Sequence, residues 1–480
     1  GSGVALASLT VNSTASGATN LGTASDITVN GVITTGAQSY TGNGITVAAA
    51  SQSTTNNIQI NALNNVSINA GLSAQTLTLT SASGKTISGN GDVVASNLLL
   101  NSAGVNYTLN TATGNQVGTL AASIGVGNLA FQNSTAFTVG TIGAVSGITT
   151  SGTLNLASTT GDISISNQIT STNTTASAVV INAGKSKNSR DNTGGNVVFG
   201  TGIRVVLDAA ATGKIYSGSL AEITLATMIG SGTGRFRYDS DEVTTSYTTA
   251  LSTGLYGIYR QRPTLSSAAS DVTKTYDGLA FSGNTSVTYS GYVNGDVSPN
   301  VAGYGANNTI NAGSYDITVS GAISGLGYDV TPSNFKLTVT PRILTITASA
   351  STKVYDGTNI ASVLLASNKI ATDSLTLAQT GATFSDQNAG TNKTVTVSGL
   401  SFSGASAFNY TLNGVSSTST TANITAKALT MTGLSSSNKV YDGTTIATVT
   451  GGTLLGLIGS DGANVTLTQN ASFASANVDI

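Results

Sequence analysis

Ile27-Thr28-Val29-Asn30-Gly31-Val32-Ile33-Thr34-Thr35-Gly36-Ala37-Gln38-Ser39-Tyr40 sets the fold of the first half of the chain. Its opening burst, Ile27-Thr28-Val29, follows Leu9-Thr10-Val11 by 18 residues and precedes Ile45-Thr46-Val47 by 18. A second set, Ile58-Gln59-Ile60, Leu77-Thr78-Leu79 and Leu98-Leu99-Leu100, is spaced at 19 and 21. Later bursts such as Leu129-Ala130-Phe131, Leu154-Asn155-Leu156 and Val179-Val180-Ile181 continue the series. Within most bursts apolar residues alternate with Thr, Ser, Gln or Asn, so one face points in and one out. Short strands at a period near 20, three to a period, are the signature of a parallel β-helix. Eleven or twelve coils stacked at about 4.8 Å would make a rod of roughly 55 Å. The competing reading is an antiparallel sandwich, for which the bursts are too short and too regular.

Composition supports stacking. Of 480 residues, 57 are Gly, 8% are charged and 39% are hydrophobic. That hydrophobic content sustains extensive burial and argues against disorder. From Gly1 to Gly184 the only charged side chains are Asp26, Lys85, Asp92 and Asp162. Uncharged Asn, Ser and Thr tolerate identical neighbours at strand spacing, whereas stacked like charges repel. The chain has no Cys, His or Trp. Disulfides, Cys or His metal sites and Ser-His or Cys-His nucleophile pairs are therefore excluded. A net charge of −2 without a basic block gives nucleic acid nothing to bind. No apolar run is long enough to span a bilayer as a helix.

Charge and tyrosine density rise at Arg235-Phe236-Arg237-Tyr238-Asp239-Ser240-Asp241-Glu242 and again over Tyr256–Arg262. A solenoid's open end is a sheet edge that needs covering, so residues 235–262 are read as a cap and junction. A ligand site on these aromatics and arginines is the functional alternative. No comparable cap is seen at the start of the chain, which suggests sequence upstream.

Beyond it the pattern changes. Lys274-Thr275-Tyr276-Asp277-Gly278 recurs as Lys353-Val354-Tyr355-Asp356-Gly357 and as Lys439-Val440-Tyr441-Asp442-Gly443, with starts 79 and 86 residues apart. That spacing suits one small β-sandwich per copy. The expected organisation is all-β: a right-handed parallel β-helix over 1–234, the junction 235–262, then tandem Ig-like β-sandwich repeats at 263–341, 342–427 and 428–480. The last is expected to be truncated, with the chain a piece of a longer protein. Junctions such as Pro341-Arg342-Ile343-Leu344-Thr345-Ile346 lack a Gly/Ser linker, so the array should be semi-rigid.

In each motif Asp-Gly marks a turn, because Gly accepts positive φ and Asp bonds nearby backbone. The Tyr is expected to bury its ring and fix the loop on the core through its hydroxyl. Lys274, Lys353 and Lys439 would be exposed or snorkelling. Two chemical alternatives stand beside this. One is an isopeptide bond from each Lys to an Asn, which needs an acidic proton shuttle; the only two Glu, Glu222 and Glu242, lie outside the repeats. The other is Ca²⁺ held by paired acids, since Asp296, Asp373 and Asp461 follow their motif Asp by 17 to 19 residues. Turn roles suit these aspartates better. Asn-x-Ser/Thr triplets, including those at Asn12, Asn65, Asn284 and Asn409, are no more numerous than this composition gives by chance.

The repeated Tyr-Asp-Gly copies, with Asn311-Ala312-Gly313 before Ile317-Thr318-Val319-Ser320-Gly321 and Asn388-Ala389-Gly390 before Val395-Thr396-Val397-Ser398-Gly399, resemble the YDG and MBG-type repeats of very large bacterial surface proteins. The 27–40 stretch resembles the β-helical shaft of filamentous-haemagglutinin-like exoproteins of the two-partner-secretion type. The resemblance implies an extracellular, Gram-negative cell-surface location and export by an outer-membrane transporter partner. It also implies a structural shaft or stalk serving adhesion, aggregation or biofilm. The family's secretion domain carries Asn-Pro motifs; none occurs here. The partner would be a host or neighbouring-cell glycan or protein, or a second copy in a self-assembling matrix or sheath filament. A toxin stalk is a third variant. The reading of another class is a glycan-binding or polysaccharide-cleaving β-helix, for which the region 185–242 offers Lys185, Lys187, Arg190, Asp191, Arg204 and Asp208. No catalytic residue, cofactor or metal is expected, and no enzyme activity.

Overall fold

A computed structural model describes residues 9–12, 26–283, 287–297, 301–302, 308, 310–319 and 323–478. Asn284, Ser320-Gly321 and both chain ends lie outside the described residues. Contacts divide the chain into two compact units. The first comprises Gly1–Ser270, Asn284–Gly305 and Thr318–Asn334; the second comprises Asp271–Gly283, Ala306–Ile317 and Phe335–Ile480. Residues of the first repeat thus contribute to both.

The first unit is built on a parallel β-solenoid. A 14-stranded sheet and an 11-stranded sheet run along it, and the strands within each pair in parallel. Register aligns like with like. Ile45 stands on Val66, Val66 on Ile87, Tyr107 on Leu129, Leu129 on Leu154 and Leu154 on Val179. In the other sheet Ile58 stands on Leu77, Leu77 on Leu98 and Leu98 on Leu120. These inward columns are buried to within a few per cent. Each such side chain contributes about 1.5–3 kcal/mol relative to leaving it exposed.

Three strands per coil are expected, yet some coils merge two of them. Leu72–Thr80 and Val93–Asn101 each run nine residues without a break. Their in-out alternation slips at Gln75-Thr76 and at Ser96-Asn97, where two successive side chains face outward. The slip turns the strand round a corner, so two faces share one sheet.

Elsewhere corners are closed by buried amides. Asn133 is fully buried; its Oδ1 accepts from the Val117 N–H (2.8 Å) and its Nδ2 donates to the Val117 carbonyl (3.1 Å). Asn115 Oδ1 likewise accepts from the Val93 N–H (2.7 Å). An Asn side chain is a peptide group in miniature, so it satisfies backbone that the ladder leaves open. Outward Asn and Thr stack in hydrogen-bonded rows: Asn64 donates to Asn43 (2.9 Å), and Thr153 donates to Asn128 (2.9 Å).

At the end of the 11-stranded sheet the order is Thr212–Ser217, Gly254–Tyr259, Phe236–Arg237. The chain lays the outermost strand first and then returns to fill the gap beneath it. The short helix Thr224–Ile229 buries Leu225 beside Val197–Phe199 and Gly254–Tyr259. Arg237 and Arg260 are fully buried. The Arg260 guanidinium donates to the carbonyls of Ala183, Asp191, Gly194 and Gly195, tying the 184–195 loop to the solenoid. Arg237 donates to four carbonyls and lies over the rings of Tyr247 and Tyr256. Apolar packing continues past this point, with Leu265 and Tyr328 in the same core as Tyr238 and Tyr259.

In the second unit the strand Lys353–Val354 lies parallel to Ser417–Thr425, which pairs antiparallel with Gly390–Ser398 and through it with Gly381–Phe384. Copy one repeats part of this plan: Val272–Thr275 lies parallel to Asn334–Thr340. Val395, Val397, Phe384 and Ile424 form the buried face of copy two.

Candidate functional site

The Lys-x-Tyr-Asp-Gly segment begins as a strand and ends as a turn. In copy one Lys274 pairs with Val339 and Thr275 with Thr340, and the Tyr276 N–H donates to the Thr340 carbonyl (2.9 Å). In copy two the Tyr355 N–H donates to Thr425 in the same way (2.9 Å). The chain then reverses. Asp277 Oδ1 accepts from the Leu279 N–H (3.0 Å) and from Lys274 Nζ (2.8 Å), which also donates to the Leu279 carbonyl. Asp356 accepts from the Thr358 N–H (2.9 Å) and Lys353 (2.7 Å), and Asp442 from the Thr444 N–H (2.9 Å) and Lys439 (2.8 Å). The lysine beside each holds Asp356 and Asp442 down at about 2, the turn N–H adding to the effect. Gly278, Gly357 and Gly443 take φ of 76°, 78° and 79°, the left-handed region open to glycine. All three lysines therefore clip their own turn, and among the described residues no hydrogen bond joins any of them to an Asn.

The tyrosine hydroxyls leave their own copy. Tyr276 Oη donates to the Asp373 carboxylate (3.0 Å to each oxygen), 97 residues on. Tyr355 Oη donates to Asp461 (3.0 Å), 106 residues on. Sequence places this hydroxyl on the core of its own domain; the structure sends it to the next copy. The glycine after the motif explains how. A Cβ at Gly278 would stand 3.1 Å from Ile370 Cδ1, and one at Gly357 would stand 2.7 Å from Ile458 Cγ2. Ile370 and Ile458 each open a tight turn that ends on the acceptor, since the Asp373 N–H donates to Ile370 and the Asp461 N–H to Ile458 (3.0 Å each). The missing side chain lets that turn seat against the motif.

A third tyrosine follows the same rule. Tyr238, in the stretch read as a cap, is fully buried and donates to Asp296 Oδ2 (2.7 Å). Asp296 closes the turn Val293-Asn294-Gly295-Asp296, its N–H on the Val293 carbonyl (3.0 Å). A second tyrosine completes two of these sites. Tyr328 donates to Asp296 Oδ2 (2.8 Å), and Tyr410 donates to Asp373 Oδ2. Each also accepts from the backbone N–H three residues before its Asp, Val293 (3.1 Å) and Ile370 (2.9 Å). The ring pairs meet edge to face, at 4.7 Å for Tyr238–Tyr328 and 5.6 Å for Tyr276–Tyr410. Burial, then the Asp373 hydrogen bond and charge, push Tyr276 up to about 12. Burial raises Asp296 despite the two hydroxyls that oppose it. Tyr441 is 63% exposed.

The signals for the partners were present but scattered. An apolar residue three before the Asp recurs at Val293, Ile370 and Ile458, and Tyr328 and Tyr410 stand 82 apart. Asn409, in an Asn-x-Thr triplet, is buried and bonds the Asn311-Ala312 turn of copy one, its Oδ1 accepting from the Ala312 N–H (2.7 Å). Of the charged residues weighed as a glycan site, Lys187 pairs with Asp191, whereas Lys185 pairs with Glu242 and Arg190 with Asp239, both in the 235–262 stretch. No ion pair among the described residues joins Arg204 or Asp208 to them. Among the described residues there is also no group of three or more acidic side chains placed for a metal ion.

A family model described as the YDG domain matches residues 340–421 and again 425–480. No curated protein and no solved structure matches the chain.

Proposed function

We propose that this chain is shaft material of a large secreted bacterial surface adhesin or fibre. The observation that carries the reading is one lock used three times in succession: Tyr238 on Asp296, Tyr276 on Asp373 and Tyr355 on Asp461. Recurring steps propagate one geometry, which is what a mechanical array needs and a single binding site does not. The solenoid is held by continuous backbone ladders, and its nearly uncharged surface permits close lateral packing. The recurrent YDG-domain match agrees with a structural role of this kind. In this reading each copy is a small Ig-like sandwich, the chain is exported through an outer-membrane transporter, and it carries no enzyme activity of its own. The test is antibody labelling of intact cells that make the protein, paired with an aggregation and adhesion assay on cells lacking it. Surface label with lost aggregation supports the proposal. Label that requires permeabilised cells refutes it.

A further inference from the structure

The chain has no Cys and no Trp, so a one-electron oxidant finds tyrosine as its main target. Two tyrosine pairs are arranged in a way the lock itself does not require. Tyr238 and Tyr328 bring both hydroxyls to one carboxylate oxygen, Asp296 Oδ2, at 2.7 and 2.8 Å, with ring centres 4.7 Å apart. One further ring leads outward, half-buried Tyr292 at 6.3 Å from Tyr328, while fully buried Tyr259 stacks 6.0 Å from Tyr238. Tyr276 and Tyr410 repeat the arrangement on Asp373 at 5.6 Å, and Tyr276 lines a cleft of about 470 Å³.

We propose that these pairs are dityrosine-forming sites, so that one-electron oxidation converts the hydrogen-bonded step into a covalent staple within the chain. Each tyrosine gives one electron to the oxidant and its phenolic proton to the shared carboxylate, which passes it to solvent. The two phenoxyl radicals couple through a carbon–carbon bond ortho to the oxygens. Tautomerisation then returns each ring hydrogen to its oxygen. The net change is two electrons and two protons lost, and one bond gained. Tyr292 is the entry point, since charge arriving there passes to Tyr328 and on to Tyr238. The carboxylate assists because proton and electron leave together; an acceptor within hydrogen-bond reach is the requirement for such a transfer.

The test uses the intact chain, oxidised by a photo-excited ruthenium tris-bipyridine complex with persulfate, then digested and mapped by mass spectrometry. The expected product joins the peptides holding Tyr238 and Tyr328, two hydrogen atoms lighter than their sum, in a chain that stays monomeric. Dityrosine confined to exposed residues such as Tyr441 and linking separate chains would overturn the proposal. Asp296→Asn keeps the side-chain shape but removes the proton acceptor. It should slow the 238–328 coupling at least about ten-fold and leave 276–410 unchanged. Equal slowing at both pairs, or none at either, would overturn the role given to the carboxylate.

Discussion

Tyr238→Phe removes one oxygen from the most buried of the three steps. The ring is fully enclosed and can stay where it is. What goes is the donor 2.7 Å from Asp296 Oδ2 and the acceptor of the Asn294 amide (3.2 Å). Asp296 is 5% exposed, so water replaces the lost donor only poorly, and Tyr328 alone remains on that oxygen. Loss of a hydrogen bond that leaves a buried acceptor short costs about 1–3 kcal/mol, and a central figure of about 2 corresponds to a roughly thirty-fold change in an opening equilibrium. Amide hydrogen exchange reads that opening directly. The Val293 N–H sits on Tyr328 Oη and the Asp296 N–H on the Val293 carbonyl, so both should exchange roughly thirty-fold faster in the variant. Tyr276→Phe should cost less, about 1 kcal/mol, because Asp373 is half-exposed and recruits water. Tyr441→Phe should lie within about 0.5 kcal/mol of the parent chain. Equal effects from all three substitutions, or unchanged exchange at Val293 and Asp296 in Tyr238→Phe, would refute the reasoning.

Three further outcomes follow from the geometry. Tyr276 has its folded pKa raised to about 12, above the ordinary value of 10.0. The stability it contributes is therefore complete below pH 10 and lost as pH rises through 12; stability in denaturant titrations should fall more steeply across that window in the parent than in Tyr276→Phe. Gly357→Ala and Gly443→Ala both place Cβ at positive φ, a cost of about 1 kcal/mol each. Only Gly357 faces Ile458 at 2.7 Å, while Gly443 has nothing within 4 Å, so Gly357→Ala should add about 1–3 kcal/mol of overpacking, measured by denaturant titration with local probes. In the solenoid, Leu98→Ala should cost about 2–5 kcal/mol and its half-exposed neighbour Leu99→Ala under about 1. Comparable losses at both would contradict the inward assignment of Leu98.

The solenoid was legible because its signal is local and repeated. Each burst carries the alternation of one strand, and the 18-to-21-residue period carries the stacking. The merged corner strands were not foreseen, since the slip at Gln75-Thr76 reads as ordinary polar sequence. In the repeats the motif was visible and its partner was not. The lock joins residues 58, 97 and 106 apart, and nothing local at Tyr276 says that its acceptor belongs to the next copy. Tyr238 escaped the motif because Ser240 stands where the others have Gly. Asp296, Asp373 and Asp461 were marked by their spacing. Whether such an acid holds a turn, a cation or a hydroxyl is decided by what packs against it, which at Asp373 and Asp461 is a motif whose glycine lets the acceptor turn seat.

If the lock fixes one repeat against the next, spin labels on copies two and three keep one separation, and the absence of cysteine makes labelling at Gln379→Cys and Thr468→Cys clean. Pulsed electron resonance should give a single narrow distance distribution that broadens when Asp461→Ala removes the acceptor of Tyr355. A distribution already broad in the parent chain, or one unchanged by Asp461→Ala, would contradict it.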